Sequence, residues 1–101
     1  MSANLNLQFI IKEFNPEKGK ELCSNLKSFL EMEYLYQDGD MEVDIMGNDE
    51  NIHINGYTTR PISISGFGRW LDDIEPRFKS LADRINGAPC KATLNVEDVD
   101  N

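Results

Sequence analysis

Phe67, Trp70, Leu71, Ile74, Phe78, Leu81 and Ile85 recur at steps of three and four across residues 67–86, the periodicity of one long amphipathic helix. A helix with a single apolar stripe is unstable alone, so the rest of the chain must supply a layer for it to cover. Pro76 interrupts the stretch, because it lacks a backbone donor and disfavours the α region for Glu75. The apolar phase continues past it, which predicts either a kinked helix or two collinear pieces with Pro76 opening the second. Asn86-Gly87 reads as the C-terminal cap.

Period-two alternation elsewhere predicts the covered layer. Leu5, Leu7, Phe9 and Ile11 alternate with Asn6, Gln8, Ile10 and Lys12, a half-buried strand. Asn15-Pro16-Glu17 then has the residues of a helix start, and Leu22, Leu26, Phe29 and Leu30 continue it to about residue 33. Met41, Val43 and Ile45 alternate with Glu42, Asp44 and Met46, and a third strand runs from about Ile52 to Thr59. A four-residue loop at 47–50 sets Ile45 opposite Ile52, Asp44 opposite His53 and Glu42 opposite Asn55, matching apolar with apolar. Arg60-Pro61 ends that strand, and residues 62–66 read as a short extended connection. Cys90, Ala92, Leu94 and Val96 make the last strand, before an acidic tail.

The order β-α-β-β-α-β predicts an α+β, ferredoxin-like split βαββαβ fold: a four-stranded antiparallel sheet with two helices on one face. The other face is expected to meet water. A length of 101 residues suits one domain spanning 1–101, with an ordered core at about 4–97. The longest apolar run is Phe9-Ile10-Ile11, far short of a membrane span, and the start MSANLNLQ lacks the pattern of a secretory signal. These features point to the cytoplasm, where Cys23 and Cys90 would stay reduced. One His and no paired cysteines leave no zinc site, and no cofactor motif is present. Gly66-Phe67-Gly68 lacks the Lys and spacing of a phosphate loop.

The formal net charge is −8, and residues 31–50 account for all of it, with eight carboxylates and no Lys or Arg. The other residues balance ten acids against ten bases. Glu33, Asp38, Asp40, Glu42, Asp44, Asp49 and Glu50 therefore form an acidic edge, with Tyr34 and Tyr36 beside it and His53 and Tyr57 on the facing strand. The alternation of Asp38, Asp40, Glu42 and Asp44 resembles a calcium loop only in spacing: Val43 and Asp49 stand where Gly and Glu are required. Asp44 opposite His53 has the geometry of an oriented base, yet its expected neighbours offer no nucleophile or pocket. No residue is assigned a catalytic role. An acidic chain repels nucleic acid, so the expected partner is a basic protein, with Tyr side chains as anchors within a charged rim.

In size, acidity, two unpaired cysteines and lack of a catalytic motif, the chain resembles the small immunity proteins of bacterial toxin systems, including the contact-dependent type. The resemblance lies in overall character, with no motif matched. It implies a cytoplasmic cognate toxin, a nuclease in the first instance, and carries over no site. The alternative is a dimeric enzyme or small-molecule-binding module using the open sheet face around His53. Dimerisation there would desolvate Lys12, Glu42 and Asp44, which favours a monomer.

Overall fold

The computed structural model describes residues 2–33, 41–48, 51–65 and 67–98, while the side chains of 2–4, 33, 62–65, 67, 68, 70 and 98 lie outside that description. Strand β1 (Ser2–Lys12) is the centre of the sheet. Its alternation places Leu5, Leu7, Phe9 and Ile11 in the core. Asn15 accepts a hydrogen bond from the Glu17 amide and opens a 3-10 turn (Pro16–Lys18), which runs into helix α1 (Gly19–Glu33). Leu22, Leu26 and Leu30 of α1 are fully buried. Strands β2 (Met41–Met46) and β3 (His53–Thr58) form an antiparallel hairpin.

Residues 62–65, expected as an extended connection, instead form strand β4 (Ile62–Ser65), paired antiparallel to the N-terminal half of β1. Helix α2 (Phe67–Asn86) is continuous through Pro76. The proline is tolerated because it lies on the exposed side, as does Asp72, whose carbonyl loses its donor. Gly87 takes φ 78° and donates its amide to the Asp83 carbonyl at 3.0 Å, closing the helix as expected. Asn86 is nearly fully buried; its Oδ1 accepts from the Asn15 amide at 2.7 Å, and its Nδ2 donates to the Ala88 carbonyl at 2.8 Å. That side chain ties the end of α2 to the entry of α1. Strand β5 (Lys91–Asp98) then pairs along β1.

All the pairings are antiparallel. Leu5 pairs with both Ile62 and Asp98, so β4 and β5 occupy opposite edges of β1, and β4 shares its edge with β3. Five strands thus fill four positions: β2, then β3 followed by β4, then β1, then β5. Between the pairs Gln8–Tyr57 and Leu5–Ile62, β1 has two residues and the other side has four, 58–61. The excess is a bulge around Pro61, which has no amide to donate. Thr58 repairs the ladder there: its buried Oγ1 accepts from the Leu7 amide at 3.0 Å.

Both helices pack on the apolar face of this sheet. Ile74, Phe78 and Ala82 of α2 join the leucines of α1 and the inward row of β1 in one cluster. Phe9 meets Phe78 with ring centroids 5.1 Å apart. On its other side the Phe9 ring occupies the place of a side chain at Gly56, its partner across β1 and β3. Gly19 is similarly crowded, by Ile45 and Phe14, so the residue that weakens the helix start also lets β2 approach it. Among the described residues, no helix is long and apolar enough to cross a membrane.

A Cβ at Gly56 would stand 2.2 Å from Phe9 Cε1. Gly56→Ala is therefore expected to cost about 2–3 kcal/mol and to lower the melting temperature by roughly 10 °C. Phe9→Leu removes the obstructing ring edge, so the double variant should lose clearly less than the sum of the two singles. Strictly additive losses in thermal and urea unfolding would show that the contact is not the cause.

Candidate functional site

The acidic edge is built on the β2–β3 hairpin. Gly47 turns the chain with φ 92°, and a Cβ there would run into the Asn51 carbonyl. The Asn51 amide donates to the Asn48 carbonyl at 2.9 Å and lies 3.2 Å from Asn48 Oδ1, which closes the loop. This loop spans residues 47–52, two residues longer than expected, so Met46 faces His53, Asp44 faces Asn55 and Glu42 faces Tyr57. A shift of two keeps each residue on its expected face while changing every partner.

The expected Asp44–His53 pair is thereby corrected. His53 is half-buried, and its Nδ1 lies 3.3 Å from the Asn51 carbonyl. A carbonyl oxygen only accepts, so Nδ1 holds the proton in this bond. The ring is bound to its own loop, and among the described residues no carboxylate is shown bonded to it.

Glu42 and Asp44 are exposed on the open face of β2, and Tyr57 beside Glu42 is 42% exposed. Neither β2 nor β3 contains a Lys or Arg. Three bases on the helices are engaged locally: Lys27 with Glu31 at 3.7 Å, Arg77 with Asp73 at 2.8 Å and Lys79 with Glu75 at 3.1 Å. Across the open face, Gln8 donates to Asn55 at 3.3 Å. Lys12 and Lys91 form a cross-strand pair at a corner beyond it. Glu13, held at φ 56°, reaches Lys91 at 3.4 Å and offsets that like-charge pair. On β2 the charges are all acidic, amides occupy the middle, and the β5 side is mixed, with Lys12 and Lys91 at one end and Glu97 at the other. Tyr34, Tyr36, Asp38, Asp40, Asp49 and Glu50 lie outside the described residues. Glu33 ends α1, its side chain likewise outside.

Two features were not anticipated. Ile45, expected inward, is 42% exposed: among the described residues β2 is an edge strand, and Ile45 lies beside Gly19. Between the helices, Phe29, Pro76, Arg77, Ser80, Leu81 and Arg84 line a groove of about 370 Å³. Phe29 is half-buried there, beneath the Arg77 guanidinium at 5.4 Å. Helical spacing identifies the stripe of each helix but not which residues meet between two helices.

Cys23 and Cys90 are half-buried and free. Burial raises the Cys23 thiol, and the negative charge of Asp44 adds to the shift. Burial pushes Cys90 up to about 11, helped by its hydrogen bond to Asp83 at 3.4 Å and by that carboxylate's charge. Neither is an activated nucleophile at neutral pH. Among the described residues, no group of three or more His, Cys, Asp and Glu is placed to hold a metal ion.

No protein-family model matches this chain, and no curated protein matches it significantly. Among solved structures, the chain is similar to a de novo designed protein, Foldit4, with TM-score 0.63 and 8% identity over 93% of this chain and 96% of that one. It is also similar to part of the YXEP protein of Bacillus subtilis, a dinuclear metal binding peptidase from the M20 family. That match has TM-score 0.51 and 13% identity, covering 97% of this chain and 26% of the peptidase. At these identities the likeness shows the fold alone, and the fold names no activity.

Raised thiol pKa values make a measurable prediction. At pH 8 a thiol with a pKa about two units above its ordinary value carries roughly 100-fold less thiolate, so Cys90 should alkylate about that much more slowly than a free cysteine. Its rate should still be climbing beyond pH 10. Asp83→Asn removes the charge but not the burial, and should accelerate alkylation several-fold. A rate plateau near pH 8 in iodoacetamide labelling followed by mass spectrometry would contradict this account of the site.

Proposed function

We propose that this chain is a non-catalytic inhibitor of the immunity-protein type, which neutralises a basic toxin, a nuclease, by docking its acidic β2 side onto it. The frame is the ferredoxin-like split βαββαβ arrangement, acting as a monomer in the bacterial cytoplasm. One observation carries the reading: Glu42 and Asp44 stand exposed on an edge strand, with Tyr57 beside Glu42 and no base on either strand of the hairpin.

A nuclease must present Lys and Arg to phosphate, and a rigid acidic strand can occupy the same surface. Complementary fields raise association rates toward about 10⁸–10⁹ M⁻¹s⁻¹, which matters when single toxin molecules do harm. Tyr57 supplies an aromatic contact within the charged rim. Lys12 on β1 and Lys91 on β5 lie away from the docking edge.

Affinity capture from lysate of the native source, at low and high salt, tests this with wild type and the Glu42→Gln/Asp44→Asn variant. Wild type should capture one basic protein in a salt-sensitive manner, the variant should lose it while keeping its circular dichroism, and the captured protein's nuclease activity should fall on binding. His53→Ala should leave capture unchanged. Equal capture by wild type and the carboxylate variant would refute docking through this edge.

A further inference from the structure

Four large hydrophobic side chains are exposed among the described residues, and three of them, Ile45, Met46 and Tyr57, sit on β2 or on its neighbour β3. Among the described residues β2 pairs only with β3. In an antiparallel pair the backbone groups of every second residue point away from the partner strand, so on its outer side β2 has no second strand among the described residues. Its two faces differ: Glu42 and Asp44 lie on the open face, while Ile45 projects beside Gly19 on the helix side.

The opposite edge offers no such combination. Strand β5 carries Lys91, Thr93, Asn95 and Glu97 on its open face, a mixture of charges, and Leu94 on the helix side is buried. Lysine is a common guard of sheet edges. Acidic charge without any base on one face, with exposed aliphatic surface on the other, distinguishes β2 from β5.

A second copy of this chain fits the edge poorly in its central registers. Antiparallel self-pairing centred on Val43 sets Glu42 against Asp44 of the other copy, and centring on Asp44 sets it against itself. Like charges directly opposite are destabilising.

We propose that β2 is a strand-addition site, where the basic partner inserts an extended segment with Lys or Arg at every second position and apolar residues between them. The basic side chains lie over Glu42 and Asp44, the apolar ones cover Ile45, and main-chain hydrogen bonds extend the sheet by one strand. The inference rests on the docking function above and gives that docking its geometry.

A capped, fluorescently labelled peptide alternating Lys and Val is the probe, beside the same peptide N-methylated on the edge that would face β2 and the Glu42→Gln/Asp44→Asn protein. The plain peptide should bind, and the methylated one at least about 10-fold more weakly. Amide exchange should slow within Met41–Met46 and not along β5. Equal binding of both peptides, with loss in the carboxylate variant, would overturn strand addition and leave acidic docking standing. Binding indifferent to the two carboxylates would bring down the docking function itself. Absence of binding by the plain peptide, or protection of β5 in place of β2, would overturn the strand-addition site.

Discussion

The ring of Phe9 lies between Gly56 on the neighbouring strand and Phe78 on α2, and the arrangement of layers depends on that contact. β1 is the one strand that β3, β4 and β5 all pair with. Its most central aromatic side chain must therefore satisfy the sheet and the helix layer together. A glycine in a strand interior ordinarily weakens it, but here the missing side chain is what leaves room for the Phe9 ring. The hairpin is consequently anchored at Gly56, which pairs with Val43 of β2. The acidic edge is held in place by a core contact one strand away from it.

Alternation and spacing made most of this architecture legible. The faces of all the outer residues on β1, β2, β3 and β5 follow from period two alone, and Asn15-Pro16 and Asn86-Gly87 mark helix boundaries by capping chemistry. Register was not legible, because matching Ile45 with Ile52 or with Ile54 satisfies the same apolar pattern. Only the closure of the 47–52 loop by Asn48 and Asn51 separates them. β4 escaped for a related reason: Pro61 ends one ladder, and nothing local shows that Thr58 will bridge the gap for Leu7 so that pairing resumes two residues later. Of the candidate site, the exposure of Glu42, Asp44 and Tyr57 could be read in advance. The partner of each could not, and the acid–imidazole pair disappeared with the register.

The corrected register also alters what the open face can do. With His53 bound to its own loop and Asp44 opposite an amide, the polar groups of β2 and β3 converge on no reacting centre. They leave only negative charge at the β2 edge of the open face, and an edge of one sign is suited to orienting a partner. Three helix carboxylates, Glu31, Asp73 and Glu75, are matched by bases one turn away, and such exposed pairs are each worth only a few tenths of a kcal/mol. Their larger effect is on the field: they cancel locally and leave the β2 edge as a concentrated negative source.

An exposed sheet edge is a hazard as well as an opportunity, since any extended chain can pair with it. Glu42 and Asp44 address both sides of that problem. Against another copy of the same strand they place carboxylate opposite carboxylate in the central registers, and against a basic strand the same residues become complementary. Val43 and Ile45, on the other face, remain available to pack in either case. In strand addition as proposed, selectivity at this edge would come from charge and association from the backbone ladder and the apolar face, a division of labour for which two carboxylates on alternate residues suffice.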